Sequence, residues 1–171
     1  MPGPRAEWLP RKIVSGGQTG ADRAALDWAN RHGIPHGGWC PRGRRAEDGP
    51  IPLIYRLRET TTARYEQRTR LNVRDSDATL ILNLGRLQDG TLKTLQYAES
   101  LDKPCRLYQL DGGDPETVVR KLVAWLKEGC FATLNIAGPR ESKRPGIHAK
   151  VSEVLERCHR DWREGGPSLR M

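Results

Sequence analysis

The sequence predicts a three-layer α/β fold, with a mainly parallel five-stranded sheet and helices on both faces. Three observations predict it. Short apolar runs alternate five times with longer segments whose apolar residues recur at helical spacing. The run Ala78-Thr79-Leu80-Ile81-Leu82-Asn83-Leu84 is continuous rather than alternating, the pattern of a strand covered on both faces. Four loop segments, 16–22, 41–49, 85–91 and 137–144, all leave the C-terminal ends of strands, where open parallel sheets bind ligands. The 171 residues suit one domain, 1–171, with its core over 12–162 and both termini loosely ordered.

The first strand, Ile13-Val14-Ser15, runs into a glycine-rich turn. Ala21, Ala24, Ala25, Trp28 and Ala29 then mark a helix whose small face can approach a sheet closely, ended by Arg31, His32 and Gly33. A second strand is expected over 36–40, weakened by two glycines. From 41 to 61 there is no clear periodicity, and a loop of that length reads as a binding loop, with Glu47 and Asp48 beside three arginines as the self-neutralising alternative. A polar helix follows over 63–73. After the apolar run comes Gly85-Arg86-Leu87-Gln88-Asp89-Gly90-Thr91, then a helix carrying Thr94, Leu95, Ala98 and Leu101, which repeats the opening order of strand, glycine, threonine, helix. Residues 105–110 make the next strand. Asp114-Pro115 starts a helix with an N-cap acid and proline in the first turn, and Val118, Val119, Leu122, Val123 and Leu126 form its buried stripe. The last strand spans 131–136, and Ile147, Val151, Val154, Leu155, Cys158 and Trp162 trace a final amphipathic helix.

The formal charge is +8, from 29 Lys+Arg against 21 Asp+Glu, and 22 of the 29 are Arg. An excess of this kind suits an anionic partner, and arginine suits planar capture of phosphate and oxyanions. There is no run of five like charges and no basic stretch interleaved with aromatics, so nucleic acid is not indicated. Cys40, Cys105, Cys130 and Cys158 form no CxxC pair, and the four histidines have no metal-ligand spacing. No stretch has the length and apolarity of a membrane span and the opening residues form no signal peptide, so a cytoplasmic protein without membrane contact is expected.

The stretch Gly16-Gly17-Gln18-Thr19-Gly20-Ala21-Asp22 is the first site candidate. Its glycines permit a tight turn and close approach of a ligand, and the free N–H groups at the following helix start favour an anion. A plain strand-to-helix turn with Thr19 as N-cap is the alternative. Gly90 and Thr91 form the second helix start, and both can face one ligand.

The chain resembles the molybdenum cofactor carrier proteins. The resemblance lies in 16–27, in Gly37-Gly38-Trp39-Cys40-Pro41-Arg42-Gly43-Arg44-Arg45-Ala46-Glu47-Asp48-Gly49, in Gln67-Arg68-Thr69 with Asn72-Val73-Arg74-Asp75-Ser76-Asp77, and in Asn135-Ile136-Ala137-Gly138-Pro139-Arg140-Glu141-Ser142. It implies a Rossmann-like fold, in a superfamily that includes lysine decarboxylase-like proteins, phosphoribohydrolases and DNA-processing protein A. It also implies binding of the molybdenum cofactor, a phosphorylated pterin with a molybdenum-oxo group, and its storage and transfer to molybdoenzyme apoproteins by a homo-oligomer. On that reading the ligand phosphate lies on Gly16, Gly17, Gln18, Thr19 and Gly20. Arg42 and Arg44 neutralise oxyanions, and Gly90, Thr91 and Ser142 add donors. Asp22 takes a ligand amine or hydroxyl, or only stabilises the helix dipole. Trp39 either stacks on the pterin or fills space beside the sheet. The phosphoribohydrolase relatives carry glutamates shortly after the threonine, where Lys93 and Thr94 stand here, so no catalytic residue is assigned. The alternative ligands are a nucleotide, held by a binding protein or a phosphoribohydrolase-like enzyme, and a simple oxyanion.

Overall fold

The computed structural model describes residues 8–164, so the expectation of loosely ordered termini falls outside the described residues. In chain order the strands are β1 (Lys12–Val14), β2 (His36–Gly37), β3 (Trp39–Cys40), β4 (Arg58–Glu59), β5 (Ala78–Asn83), β6 (Cys105–Gln109) and β7 (Thr133–Ala137). The helices are α1 (Ala21–Arg31), α2 (Tyr65–Arg74), α3 (Asp89–Ser100), α4 (Pro115–Gly129) and α5 (Ile147–Glu164). Five strands form one parallel sheet in the order β2-β1-β7-β5-β6. Helices α1, α4 and α5 pack together on one face, and α2 and α3 pack together on the other. The predicted α/β architecture is thus present.

Every residue of β5 is buried, as its unbroken apolar run requires. Its side chains alternate. Ala78, Leu80 and Leu82 join the core made with α1, α4 and α5, which leaves Thr79, Ile81 and Asn83 for the face covered by α2 and α3. The start of α4 is as the sequence predicts, with the Asp114 carboxylate accepting from the Glu116 amide at 3.1 Å.

Two local expectations are corrected. The strand expected over 36–40 breaks at Gly38, where φ is 124° and a Cβ would lie 2.5 Å from the Ser15 carbonyl oxygen. Trp39 and Cys40 pair instead with Arg58 and Glu59 in a separate two-stranded sheet, which anchors the long segment between them. The cap of α1 is Gly20, not Thr19, with no side-chain cap bond.

The connections set where a ligand can lie. From β1 the chain crosses through α1 to β2 on one side, and from β5 it crosses through α3 to β6 on the other. β7 lies between them, so the diverging connections open a crevice beyond the strand ends.

Candidate functional site

The crevice has a volume of about 300 Å³, the lower end of small-ligand sites. Gln18 and Asp22 line it from the β1 side, Tyr65, Arg68 and Thr69 from α2, Asn83 from β5, the 86–94 segment from α3, and the 137–144 segment after β7.

Helix α3 points its N-terminus into this space. Its cap residue, Gln88, makes no side-chain cap bond, and its carbonyl accepts from the Leu92 amide at 3.3 Å. Among the described residues the amides of Gly90 and Thr91 have no hydrogen-bond partner, and a Cβ on Gly90 would meet nothing within 4 Å. An open helix start with free N–H groups and a positive dipole end attracts an anion.

Cations surround that start. Arg86 has no ion-pair partner among the described residues. Lys143 Nζ lies 3.9 Å from Asp89, at the same helix start. Arg140 sits over the Tyr65 ring at 5.2 Å. Arg144 serves the backbone instead, with its guanidinium donating to the carbonyls of Leu84, Arg86 and Lys143 at 2.7, 3.0 and 2.8 Å. It fastens the loop carrying Arg86 to the loop carrying Lys143.

The floor is polar and closely held. Asp22, only 3% exposed, accepts from Arg68 Nη1 at 3.1 Å and from the Gln18 amide at 3.3 Å. Burial pushes its carboxyl above the ordinary carboxylate range, and the Arg68 charge opposes that shift only in part.

The glycine turn is put to internal use. The Ala21 amide donates to the Pro139 carbonyl at 3.1 Å, and the Thr19 amide to Gln18 Oε1 at 3.1 Å. A Cβ on Gly20 would lie 2.5 Å from that same Pro139 oxygen, and one on Gly16 would lie 1.9 Å from Arg68 Nη1. The anion found at this turn is the chain's own Glu47. Its carboxylate accepts from the Thr19 hydroxyl, the Ser142 hydroxyl and the Ser142 amide, the last at 3.2 Å. Burial raises the Glu47 carboxyl, but these donors outweigh it and hold the group below its ordinary value.

Of the candidate residues from the sequence, Gln18, Asp22, Gly90 and Thr91 come together in the crevice. Gly16, Gly17 and Gly20 are buried against protein, Thr19 is half-buried and Ser142 exposed, and none of the five lines the crevice. The Arg44 guanidinium is spent on the carbonyls of Ile51, Pro52, Leu57 and Tyr55, the last at 2.7 Å, so it organises the long loop. Arg42 is exposed and lies outside the crevice lining. Trp39 also lies outside it, its Nε1 donating to Asp75 at 2.8 Å under the Arg58 guanidinium.

Sequence comparison gives the family. A model of the Circularly permutated YpsA SLOG family matches residues 13–159. The chain belongs to that family. Its fold and sequence are also similar to a solved structure, "Putative molybdenum carrier protein" from Syntrophus aciditrophicus SB. The two chains are 46% identical, with a TM-score of 0.85, over 87% of this chain and 94% of the other. Comparison with curated proteins gives no match.

Within this family member, sequence reasoning gave no individual role to Tyr65, Arg68, Asn83, Arg86, Arg140 and Lys143, although Arg86, Arg140 and Lys143 lie in the candidate segments 85–91 and 137–144. One signal was available for Asn83, a lone amide closing an otherwise apolar parallel strand. Arg68 lay inside a motif of the resemblance, Gln67-Arg68-Thr69, without a role attached.

Proposed function

We propose that this protein binds the molybdenum cofactor in the crevice and holds it for transfer to molybdoenzyme apoproteins. The observation that carries the reading is the open start of α3, whose free Gly90 and Thr91 amides face into a cavity ringed by Arg86, Arg140 and Lys143. The residues fit a phosphorylated pterin. The phosphate takes the helix start and the cations, the Thr91 hydroxyl stands in the same turn, and Gln18 and Asp22 face the ring system. Tyr65, already stacked with Arg68 and Arg140, supplies an aromatic wall. On this reading the molybdenum is part of the cargo and rests on the ligand's own donors. The 46% identity to a protein named as a molybdenum carrier supports the same reading. Assembly as a homo-oligomer and a cytoplasmic location belong to it as well, and sedimentation at several concentrations tests the first.

The test is mass spectrometry of the small molecule that copurifies under anaerobic conditions, together with cofactor retention by variants. Arg86→Ala with Lys143→Ala lowers retention by about tenfold or more, since two charge-assisted contacts are lost. Arg42→Ala, outside the lining, leaves it unchanged. Full retention by the Arg86 and Lys143 double variant would overturn the reading.

Asp22 favours a second reading, a nucleotide phosphoribohydrolase-like enzyme. A buried carboxyl whose proton is held above the ordinary range, facing a ligand crevice, suits general acid chemistry even though no acid follows Thr91 at the position used by those relatives. Release of free adenine from AMP, abolished by Asp22→Asn, would establish it.

A further inference from the structure

Gln18 and Asn83 are both amides, both nearly without solvent contact at 5% and 1% exposure, and both line the crevice. Each is half used. Gln18 Oε1 accepts from the backbone amides of Thr19 and Glu47, at 3.1 and 3.0 Å, which fixes the oxygen and leaves Nε2 as the free end. That Nε2 is buried and has no hydrogen-bond partner among the described residues. Asn83 is held the other way round. Its Nδ2 donates to the Gly85 carbonyl at 3.0 Å and to Gln109 Oε1 at 2.7 Å, which fixes the nitrogen and leaves Oδ1 free. That Oδ1 is likewise buried and without a partner among the described residues. Gln109 is locked in turn, since its Nε2 donates to the same Gly85 oxygen at 2.6 Å. Neither amide can flip without facing donor to donor or acceptor to acceptor.

The floor therefore offers a fixed donor on the β1 side and a fixed acceptor at the end of β5, with β7 between them. Leaving either one buried and unpaired costs about 1–3 kcal/mol, and a ligand that satisfies both recovers it. A bare oxyanion does so poorly, because molybdate presents only acceptors at neutral pH and the crevice cations favour loss of the remaining P–OH protons of phosphate and pyrophosphate, which sets oxygen against Asn83 Oδ1.

We infer that Gln18 and Asn83 select a neutral nitrogen heterocycle, which accepts a hydrogen bond from Gln18 Nε2 and donates a ring or exocyclic N–H to Asn83 Oδ1. The inference rests on the proposed function and names what the crevice reads besides the phosphate. Pterins and guanine both carry such a pair on opposite edges, a ring N–H on the 2-amino-pyrimidinone ring and an acceptor nitrogen on the fused ring. Asn83 thus becomes a specificity-determining residue beside the anion site.

The test is calorimetric titration of the full chain with pyrophosphate, 6-hydroxymethylpterin phosphate, its N3-methyl derivative and guanosine 5′-monophosphate. At least one heterocyclic phosphate binds about tenfold or more tightly than pyrophosphate, and N3-methylation removes about tenfold of the pterin's affinity when the pterin is the tighter ligand. The tighter of the two parents identifies the source of the heterocycle. Gln18→Glu keeps the accepting oxygen, replaces the Nε2 donor by a second oxygen and adds a negative charge. It lowers the ratio of heterocycle to pyrophosphate affinity by about tenfold, whereas a purely electrostatic effect moves both affinities together. Pyrophosphate binding as tightly as either heterocycle would overturn the inference and leave the anion site and the proposed function standing. Binding of none of the four would overturn both.

Discussion

Arg68 Nη1 lies 3.1 Å from Asp22 Oδ2, so a guanidinium from α2 meets a buried carboxylate from α1 across the crevice floor. The same guanidinium fills the space a side chain on Gly16 would need. Arg68→Met removes the charge that opposes the burial of Asp22, so the carboxyl stays buried unpaired or takes up a proton, and breaking such a pair costs up to about 3–5 kcal/mol. Urea unfolding at neutral pH reads that loss, and Asp22→Asn combined with Arg68→Met restores a good part of it. A single variant as stable as the parent chain would show that the pair does not hold the floor.

The glycines make a paired prediction. Gly20 has φ +82° and backbone atoms of the 139–141 segment where a Cβ would go, so Gly20→Ala is destabilised by strain and collision. Gly90 sits in the first turn of α3 with open space beside it, so Gly90→Ala keeps its stability or gains up to about 1 kcal/mol from reduced chain entropy. Its methyl group enters the anion site, so ligand affinity falls while the unfolding midpoint does not. Loss of stability without loss of binding in Gly90→Ala would place the ligand elsewhere.

These two glycines also show why the sheet was legible in the sequence and the site only in part. A strand buried on both faces has to be apolar throughout, and β5 is; a helix begun by Asp114-Pro115 satisfies its first amides locally, and α4 does. Such signals are local. A glycine demanded by close approach looks the same whether the approaching group is a ligand or another loop, and at Gly20 it is the loop after β7. Arg44 resembles an oxyanion clamp until the fold supplies four carbonyls around it. Asn83 and Arg68 acquire meaning only when β5 and α2 are brought to the same crevice.

Glu47 gives a prediction in acid. Its carboxyl is held below the ordinary value of 4.5 by the Ser142 and Thr19 donors, which outweigh its burial. A depressed carboxylate adds stability that is complete above its unfolded value and is lost as pH falls through the folded one. Glu47→Ala removes hydrogen bonds to a charged group, about 1.5–3 kcal/mol in all, because the long loop loses its tie to the segment after β7. Stability curves of the two chains converge as pH drops below 4.5. A gap that persists in acid would mean that packing, not charge, holds the loop.

The pairing of α1 with α5 adds a second pH dependence in a different window. The buried His159 ring stacks on His32, with centroids 3.8 Å apart, and lies 4.9 Å from Trp162. Burial, then the neighbouring His32, lowers the His159 value from 6.5; Arg163 adds to this and Glu156 opposes it. The unfolded chain therefore takes up a proton near pH 6.5 that the folded chain refuses, so stability is complete above that pH and falls below it. The slope from this one group is at most about 1.4 kcal/mol per pH unit. His159→Phe keeps an aromatic ring against Trp162 but cannot be protonated, so its stability changes less steeply as pH falls from 6.5 through the acid side of that window. Urea titrations at closely spaced pH values compare the slopes directly, and equal slopes for the two chains would show that protonation is absorbed elsewhere in the α1–α5 interface.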